Sequence, residues 1–240
     1  MCGRYTLTDP GEELLRQFGL PELPPGYRPR YNIAPTQPVT AIIAVEGERR
    51  IGMLRWGLVP SWAKDPSIGN RMINARAETV AEKPAFRAAL RRRRCLIPAD
   101  GFYEWQRRDG RKQPVRFVAS DGGVFAFAGL WERWRPPTSM QSEAQVDESS
   151  GDEAREPVLF TCTLITTSAN DFVRPVHDRM PVILPPEAYD PWLDPSLHDP
   201  QAVLPLLRAA PEDALRVYDV STLVNAPAND VPTCIEPISD

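Results

Sequence analysis

The chain has 240 residues, 42% of them hydrophobic and 25% charged, with a formal net charge of −4, the proportions of a globular protein able to bury a core as one large domain or two small ones. No run approaches the roughly 18 consecutive apolar residues of a membrane-spanning helix, and the opening Met-Cys-Gly-Arg-Tyr lacks the apolar segment of a secretory signal. The expected setting is cytoplasmic, or nucleoid-associated for a DNA binder, with no membrane partner and with its thiols reduced.

Asp9-Pro10, then Gly-Glu-Glu-Leu-Leu-Arg-Gln-Phe and Gly19, predict a short helix capped by Asp at one end and Gly at the other. A Pro-rich connector follows from Pro21 to Pro29. Val39–Val45 and Ile51–Val59 are β-rich and read as a hairpin. Lys83–Arg92 places Ala85, Phe86, Ala89 and Leu90 on one helical face. Arg91 to Arg94 put cations at that helix's negative end, which explains the run as well as a phosphate contact does. Further strands are expected at Arg93–Ile97, Phe102–Gln106, Val115–Ala119, Val124–Trp134, Leu159–Thr167 and Pro181–Leu184. Between two of these lies 136–157, acidic and poor in large apolar side chains, which predicts a disordered insertion within a single 1–240 domain. Helical stretches at Pro186–Leu193 and Pro200–Ala209 precede a last strand at Leu215–Val220. Strands dominate and no regular βαβ alternation occurs. The expected class is α+β, with a mostly antiparallel, barrel-like β-sheet core and flanking helices.

Charge is divided unevenly. Residues 1–135 carry 23 Lys and Arg against 14 Asp and Glu, a balance of +9, whereas 136–240 carry 5 against 18, a balance of −13. A basic half of this kind suits phosphate binding, although ordinary surface asymmetry produces it too. The four cysteines form no Cys-x-x-Cys pair, and with only two histidines no zinc site and no other cofactor is expected. Cys95 and Cys162 sit in apolar, strand-like runs and read as core.

Cys2 differs because it lies beside the chain terminus. Once Met1 is removed it becomes a 1,2-aminothiol, whose amine and thiol have reference pKa values of about 7.7–8.0 and about 8.5, so both nucleophilic forms should be accessible near neutrality. An aldehyde condenses with such an amine to an imine, which the thiol closes to a five-membered thiazolidine. Elsewhere, Met72–Glu78 sets Asn74 and Arg76 two apart, on one face if extended. Glu104 stands between aromatics in Gly-Phe-Tyr-Glu-Trp, where burial would raise its pKa toward acid–base work, unless it is a solvated strand residue. His177, in Val-His-Asp-Arg-Met-Pro, suits proton transfer at neutral pH or else plays a structural part. His198 reads as a surface or capping residue.

Six motifs occur in order: Met-Cys-Gly-Arg, Arg-Tyr-Asn-Ile-Ala-Pro, Trp-Gly-Leu-Val-Pro-Ser-Trp, Ile-Asn-Ala-Arg-Ala-Glu, Gly-Phe-Tyr-Glu-Trp and His-Asp-Arg-Met-Pro. Together they resemble the SRAP (SOS-response-associated peptidase) family of abasic-site processing proteins over residues 2–225. That resemblance implies an SRAP-type fold and a monomer that shields abasic sites in single-stranded DNA through a thiazolidine on the ring-opened sugar. It implies Cys2 as nucleophile and Asn74 positioning the sugar and the cysteine amine. Glu104 would assist proton transfers and Met1 removal, and His177 would serve ring opening and crosslink reversal. It further implies Arg4 and Arg76 on flanking phosphates, Asn32 and Pro35 in the pocket wall, and Trp62 or Trp105 against a base. Trp62 stands alone where some members carry a pair, and the acidic insertion is long for the family. A cysteine-type peptidase acting on other substrates and a non-covalent single-strand binding module are the competing readings.

Overall fold

The computed structural model of the chain describes residues 2–137 and 158–238. All but the first two residues of the expected disordered insertion lie outside that range. In chain order the elements are β1 (Tyr5–Leu7), α1 (Glu12–Phe18), β2 (Arg30–Ile33), β3 (Pro38–Val45), β4 (Glu48–Trp56), β5 (Asn74–Arg76) and α2 (Arg87–Arg92). There follow β6 (Arg94–Ala99), β7 (Gly101–Arg108), β8 (Arg111–Ala119), β9 (Phe125–Trp134) and β10 (Leu159–Ser168). The last are β11 (Arg179–Pro181), β12 (Ile183–Leu184), α3 (Tyr189–Leu193), α4 (Pro200–Val203) and β13 (Leu215–Asp219), with short 3-10 turns between.

Two sheets form. One runs β13-β8-β7-β1-β2 with every pairing antiparallel. The other runs β11-β10-β4-β3-β6-β9-β12, and an extra β10–β9 pairing closes β10, β4, β3, β6 and β9 on themselves. The barrel-like expectation is corrected in one respect. This is a ring of pairings rather than a regular barrel, because the β3–β6 seam is the single pair Ile42–Leu96 and β10 meets β4 in parallel only at Thr161 and Cys162. The core lies between the sheets. Tyr5 of β1 meets Trp56 and Phe127 edge-on at 5.4 and 5.7 Å, and Phe102 stacks on Phe117 at 4.9 Å while reaching Phe127.

Most expected elements are present with shifted ends. α1 begins at Glu12 because Gly11 takes φ 119°, while the Asp9 carboxylate still accepts from the Gly11 and Leu14 N–H groups; Gly19 (φ 61°) ends the helix as expected. Regular helix begins at Arg87 rather than Lys83, after a turn in which the Lys83 carbonyl accepts from both Phe86 and Arg87. The stretch expected as one helix over Pro200–Ala209 breaks after Val203 into a 3-10 turn that contains Pro205. Both long hairpins, β3–β4 and β7–β8, turn on two residues of positive φ, Glu46-Gly47 and Asp109-Gly110, the geometry that matches strand twist. In the Trp-Gly-Leu-Val-Pro motif, Gly57 (φ 132°) lies so close to Gly69 that a Cβ on it would stand 2.6 Å from the Gly69 carbonyl oxygen. No described helix is long and apolar enough to cross a membrane.

The C-terminal segment is tied onto β2. The buried Asn32 amide donates to the Val224, Ala226 and Asn229 carbonyls at 3.2, 3.1 and 2.7 Å, and its oxygen accepts from Arg4. Asp230 answers from the other chain segment, accepting from the Tyr31 and Asn32 N–H groups and pairing with Arg30. Truncating Asn32 to Ala removes the Oδ1 acceptor of the buried Arg4 and the shared amide donor of three carbonyls, and leaves a buried void, so Asn32→Ala should lose about 2–4 kcal/mol of stability. Urea unfolding monitored by tryptophan fluorescence checks it; a loss below about 0.5 kcal/mol, the scale of an ordinary surface change, would refute the clasp.

Candidate active site

The register of the small sheet places the chain start. β1 pairs with β7 through Tyr5–Phe102 and Thr6–Gly101, and the Tyr103 N–H donates to the Arg4 carbonyl at 2.9 Å. Continuing that register sets Gly3 level with Glu104 and Cys2 level with Trp105. Phe102 packs into the core, and alternation along a strand then turns Glu104 to the same side, toward Cys2. From the large sheet, β5 pairs with β10 and presents Asn74, whose Nδ2 donates to the Cys2 carbonyl at 2.9 Å. Asn74 Oδ1 is buried with no hydrogen-bond partner among the described residues, so an acceptor points into the site unused.

Cys2 is fully buried, which corrects the expectation of a readily ionised thiol. Desolvation, followed by the repulsion of the Glu104 carboxylate, pushes its pKa far up and keeps the sulfur protonated. Glu104 is buried as well, and burial raises its carboxyl to about 7, against the pull of the chain terminus's positive charge and with a small upward push from Asp178. A carboxyl titrating there is charged and neutral in comparable amounts at physiological pH. It can therefore both give and take a proton.

His177 lies in the turn before β11. Its Nδ1 accepts from the Arg179 N–H at 2.9 Å, yet Asp178 Oδ1 is also 2.9 Å from that same nitrogen. One ring nitrogen cannot serve both at once. Accepting from the N–H requires a neutral ring with its proton on Nε2, whereas pairing with Asp178 requires the imidazolium. Burial, followed by the positive chain terminus, lowers the His177 pKa, so the neutral ring bonded to Arg179 is the resting form. Arg179 is itself clamped by Glu78, which accepts from both of its Nη atoms at 2.6 and 2.9 Å. Neither Arg179 nor Glu78 was singled out from sequence, although both stand inside the quoted motifs.

The remaining expected residues divide by exposure. Arg76 on β5 and Trp62, 59% exposed, face solvent, and Pro35 is half-buried in a strap that ends at Thr36 (φ 71°). Arg4 is buried, donating to Asn32 Oδ1 at 2.8 Å and the Val224 carbonyl at 2.7 Å, with its guanidinium 5.7 Å from the Trp105 ring centre. Of the two arginines assigned to phosphates, Arg76 is the open one, while Arg4 braces the interior. Asn32, too, is buried, its amide on the carbonyls of the C-terminal segment. Trp105 is half-buried, its indole N–H donating to Asn225 Oδ1 at 2.7 Å. Cys95 and Cys162 are core residues, and His198 is exposed, as expected. No cluster of three or more metal-ligating side chains occurs among the described residues.

Residues 1–227 match the family described as SOS response associated peptidase (SRAP). The chain is 45% identical over 239 residues to the abasic site processing protein YoqW of Bacillus subtilis, covering 98% of this chain and 99% of that one. It is also 45% identical to the abasic site processing protein YoaM of the same organism, over 96% and 95% of the two chains. A crystal structure of a Bacteroides thetaiotaomicron protein superposes with a TM-score of 0.82 over 99% of this chain and 100% of that one, at 22% identity, a likeness of fold.

The raised carboxyl has a consequence for stability. Between the ordinary carboxyl value and about 7, the folded chain holds a proton on Glu104 that the unfolded chain has lost. The stabilisation is thus complete below about pH 4.5 and disappears as pH rises through about 7. Relative to Glu104→Gln, the native protein should lose up to about 3 kcal/mol across that interval. Urea midpoints of the two proteins that run parallel from pH 4.5 to 7.5 would show that Glu104 is not held in this way.

Proposed function

The chain belongs to the SRAP family, and from that premise we propose that it captures abasic sites in single-stranded DNA covalently through Cys2. The observation that carries this reading is the Asn74–Cys2 hydrogen bond, which fixes the first backbone carbonyl beside a buried, unused acceptor. The names of its bacterial relatives, abasic site processing proteins, support the same substrate.

The chemistry balances without a cofactor. Hydrolysis of the Met1–Cys2 bond frees the α-amine, with Glu104 handling the protons, as self-processing. The ring-opened sugar offers an aldehyde carbon to that amine; addition and loss of one water give an imine. The sulfur then bonds to the imine carbon and its proton ends on nitrogen, closing the thiazolidine. Because burial keeps the thiol protonated, amine attack comes first, and Glu104, titrating near 7, relays the thiol proton. Asn74 Oδ1 accepts from the amine or from a sugar hydroxyl. His177 shuttles the proton for ring opening and for reversal, Asp178 receiving Nδ1–H when the ring is charged. Arg76 faces a flanking phosphate, and Trp62, Trp105 and Pro35 border the strand. All these groups come from one chain, so a monomer suffices, acting on DNA at the nucleoid.

Native protein mixed with an abasic single-stranded oligonucleotide should give an adduct that survives denaturing electrophoresis. Cys2→Ala should give none, and neither should a protein carrying an N-terminal extension that blocks Met1 removal while leaving its thermal melt unchanged. Adduct from Cys2→Ala at native yield would end the proposal. His177→Ala should slow release of the crosslink by roughly 10²–10⁴-fold, the usual worth of acid–base help, with little change in affinity for undamaged strand. Equal loss of release and binding would remove His177 from that role.

A further inference from the structure

Asn74 and His177 come to the candidate site from different elements, Asn74 from β5 and His177 from the turn that leads into β11. Both strands are three residues long, and each is paired to β10, β5 in parallel and β11 antiparallel. A side-chain link crosses between them. Glu78, just past β5, accepts from both Nη atoms of Arg179, the first residue of β11, at 2.6 and 2.9 Å.

The link is anchored to β10 as well. The Thr166 carbonyl accepts from Arg179 Nη2 at 2.7 Å and from the Ala77 N–H at 2.8 Å, so both ends of the pair rest on one peptide group. Hydrogen bonding to the guanidinium holds the Glu78 carboxyl below the ordinary carboxylate range, which keeps the pair ionised. Arg179 is also the residue whose N–H reaches His177 Nδ1 at 2.9 Å, in competition with Asp178 Oδ1 at the same distance.

Other bonds fold this turn. Its base is closed by the Ala169 N–H on the Asp178 carbonyl at 2.9 Å. Its interior is held by Asn170, whose Oδ1 accepts from the Val173 N–H and whose Nδ2 donates to the Ala210 carbonyl, both at 2.9 Å. The Glu78 side chain is 47% exposed, and an ion pair so open to water contributes little stability. A bidentate clamp between two planar groups fixes geometry instead. Here it fixes the Arg179 backbone between His177 and β10.

We propose that Glu78 is a positioning residue for His177: by holding the Arg179 guanidinium against β10, its carboxylate keeps the Arg179 N–H on His177 Nδ1, so that the ring carries its proton on Nε2 and exchanges it there with the sugar. The inference rests on the reading that Cys2 captures an abasic site and that His177 moves protons for it.

The test is a double-variant cycle on crosslink release. A labelled abasic single-strand adduct is chased with unlabelled abasic strand and resolved on denaturing gels. Glu78→Ala should slow release roughly 10- to 100-fold, the scale of a small displacement of a reacting group. In a His177→Ala background the same change should alter release by no more than about 2-fold, because the residue through which it acts is gone. Equal slowing in both backgrounds would overturn the assignment. The thermal melt of Glu78→Ala should stay near native; if it falls strongly, Glu78→Gln, which keeps the side-chain volume and breaks the bidentate pair, takes its place in the cycle. Nitrogen NMR of ¹⁵N-histidine protein without DNA reads the ring independently, with His198→Gln assigning the two histidines. Native His177 should show a bare Nδ1 and a protonated Nε2. In Glu78→Ala, Nδ1 should gain protonation as Asp178 competes for it, and the two signals should approach each other; an unchanged spectrum would sink the proposal. No adduct from native protein, or release unaffected by His177→Ala, would fail the Cys2 and His177 reading instead, and the nitrogen spectrum would then decide the role of Glu78 by itself.

Discussion

β1 runs as an interior strand of the small sheet, with β2 on one side and β7 on the other, and that pairing fixes Cys2 where the groups of both sheets reach it. A chain terminus ordinarily frays. Here the first residues are fixed by the Tyr103 N–H on the Arg4 carbonyl, by Arg4 on Asn32, and by Asp100, which accepts from the hydroxyls of Thr6 and Thr8 and pairs with Arg116 at 2.9 Å. Asn74 then closes the open end by holding the Cys2 carbonyl. Two sheets thus grip this end of the chain, and the candidate groups from β5, β7 and the turn before β11 meet it at one place.

Such a grip has an electrostatic consequence. The enclosure that orders Cys2 also desolvates it, and the same desolvation raises Glu104 and lowers His177. All three shifts favour neutral forms, as expected for a shared low-dielectric pocket. A buried sulfur held in its protonated form is shielded from oxidation and metal capture, both of which act on the thiolate.

Sequence made the long elements legible because their signals are periodic. The β3–β4 hairpin, β9, β10 and the basic end of α2 follow from β-branched runs, helical spacing and charge. Three short strands that frame the site, β1, β2 and β5, carry no such signal: Tyr5–Leu7 and Asn74–Arg76 are three residues each, and Arg30–Ile33 is four, with polar members. β1 and β5 are strands because the long β7 and β10 pair with them, and β2 because β1 and the C-terminal segment hold it. The ring closure through β10 was equally invisible, since it depends on parallel pairing between residues more than eighty positions apart. Cys2, Asn74, Glu104 and His177 could be named individually, but their convergence came from the family resemblance, and spacing alone could not supply it.

The motifs themselves divide into two kinds of work, which explains why a motif is not a roster of reacting groups. In Arg-Tyr-Asn-Ile, Arg30 pairs with Asp230 and Asn32 captures three carbonyls of the C-terminal segment, so the motif is a clasp. Trp-Gly-Leu-Val-Pro requires its glycine because two backbones touch at Gly57 and Gly69. Even Arg4, two residues from the sulfur, turns inward to brace Trp105. In His-Asp-Arg and Asn-Ala-Arg-Ala-Glu, by contrast, candidate reacting groups and their supports alternate: Glu78 clamps Arg179, whose backbone N–H in turn fixes the His177 tautomer. Losing Glu78 would therefore act on His177 without touching it, through a backbone amide that no side-chain inventory of the site would include.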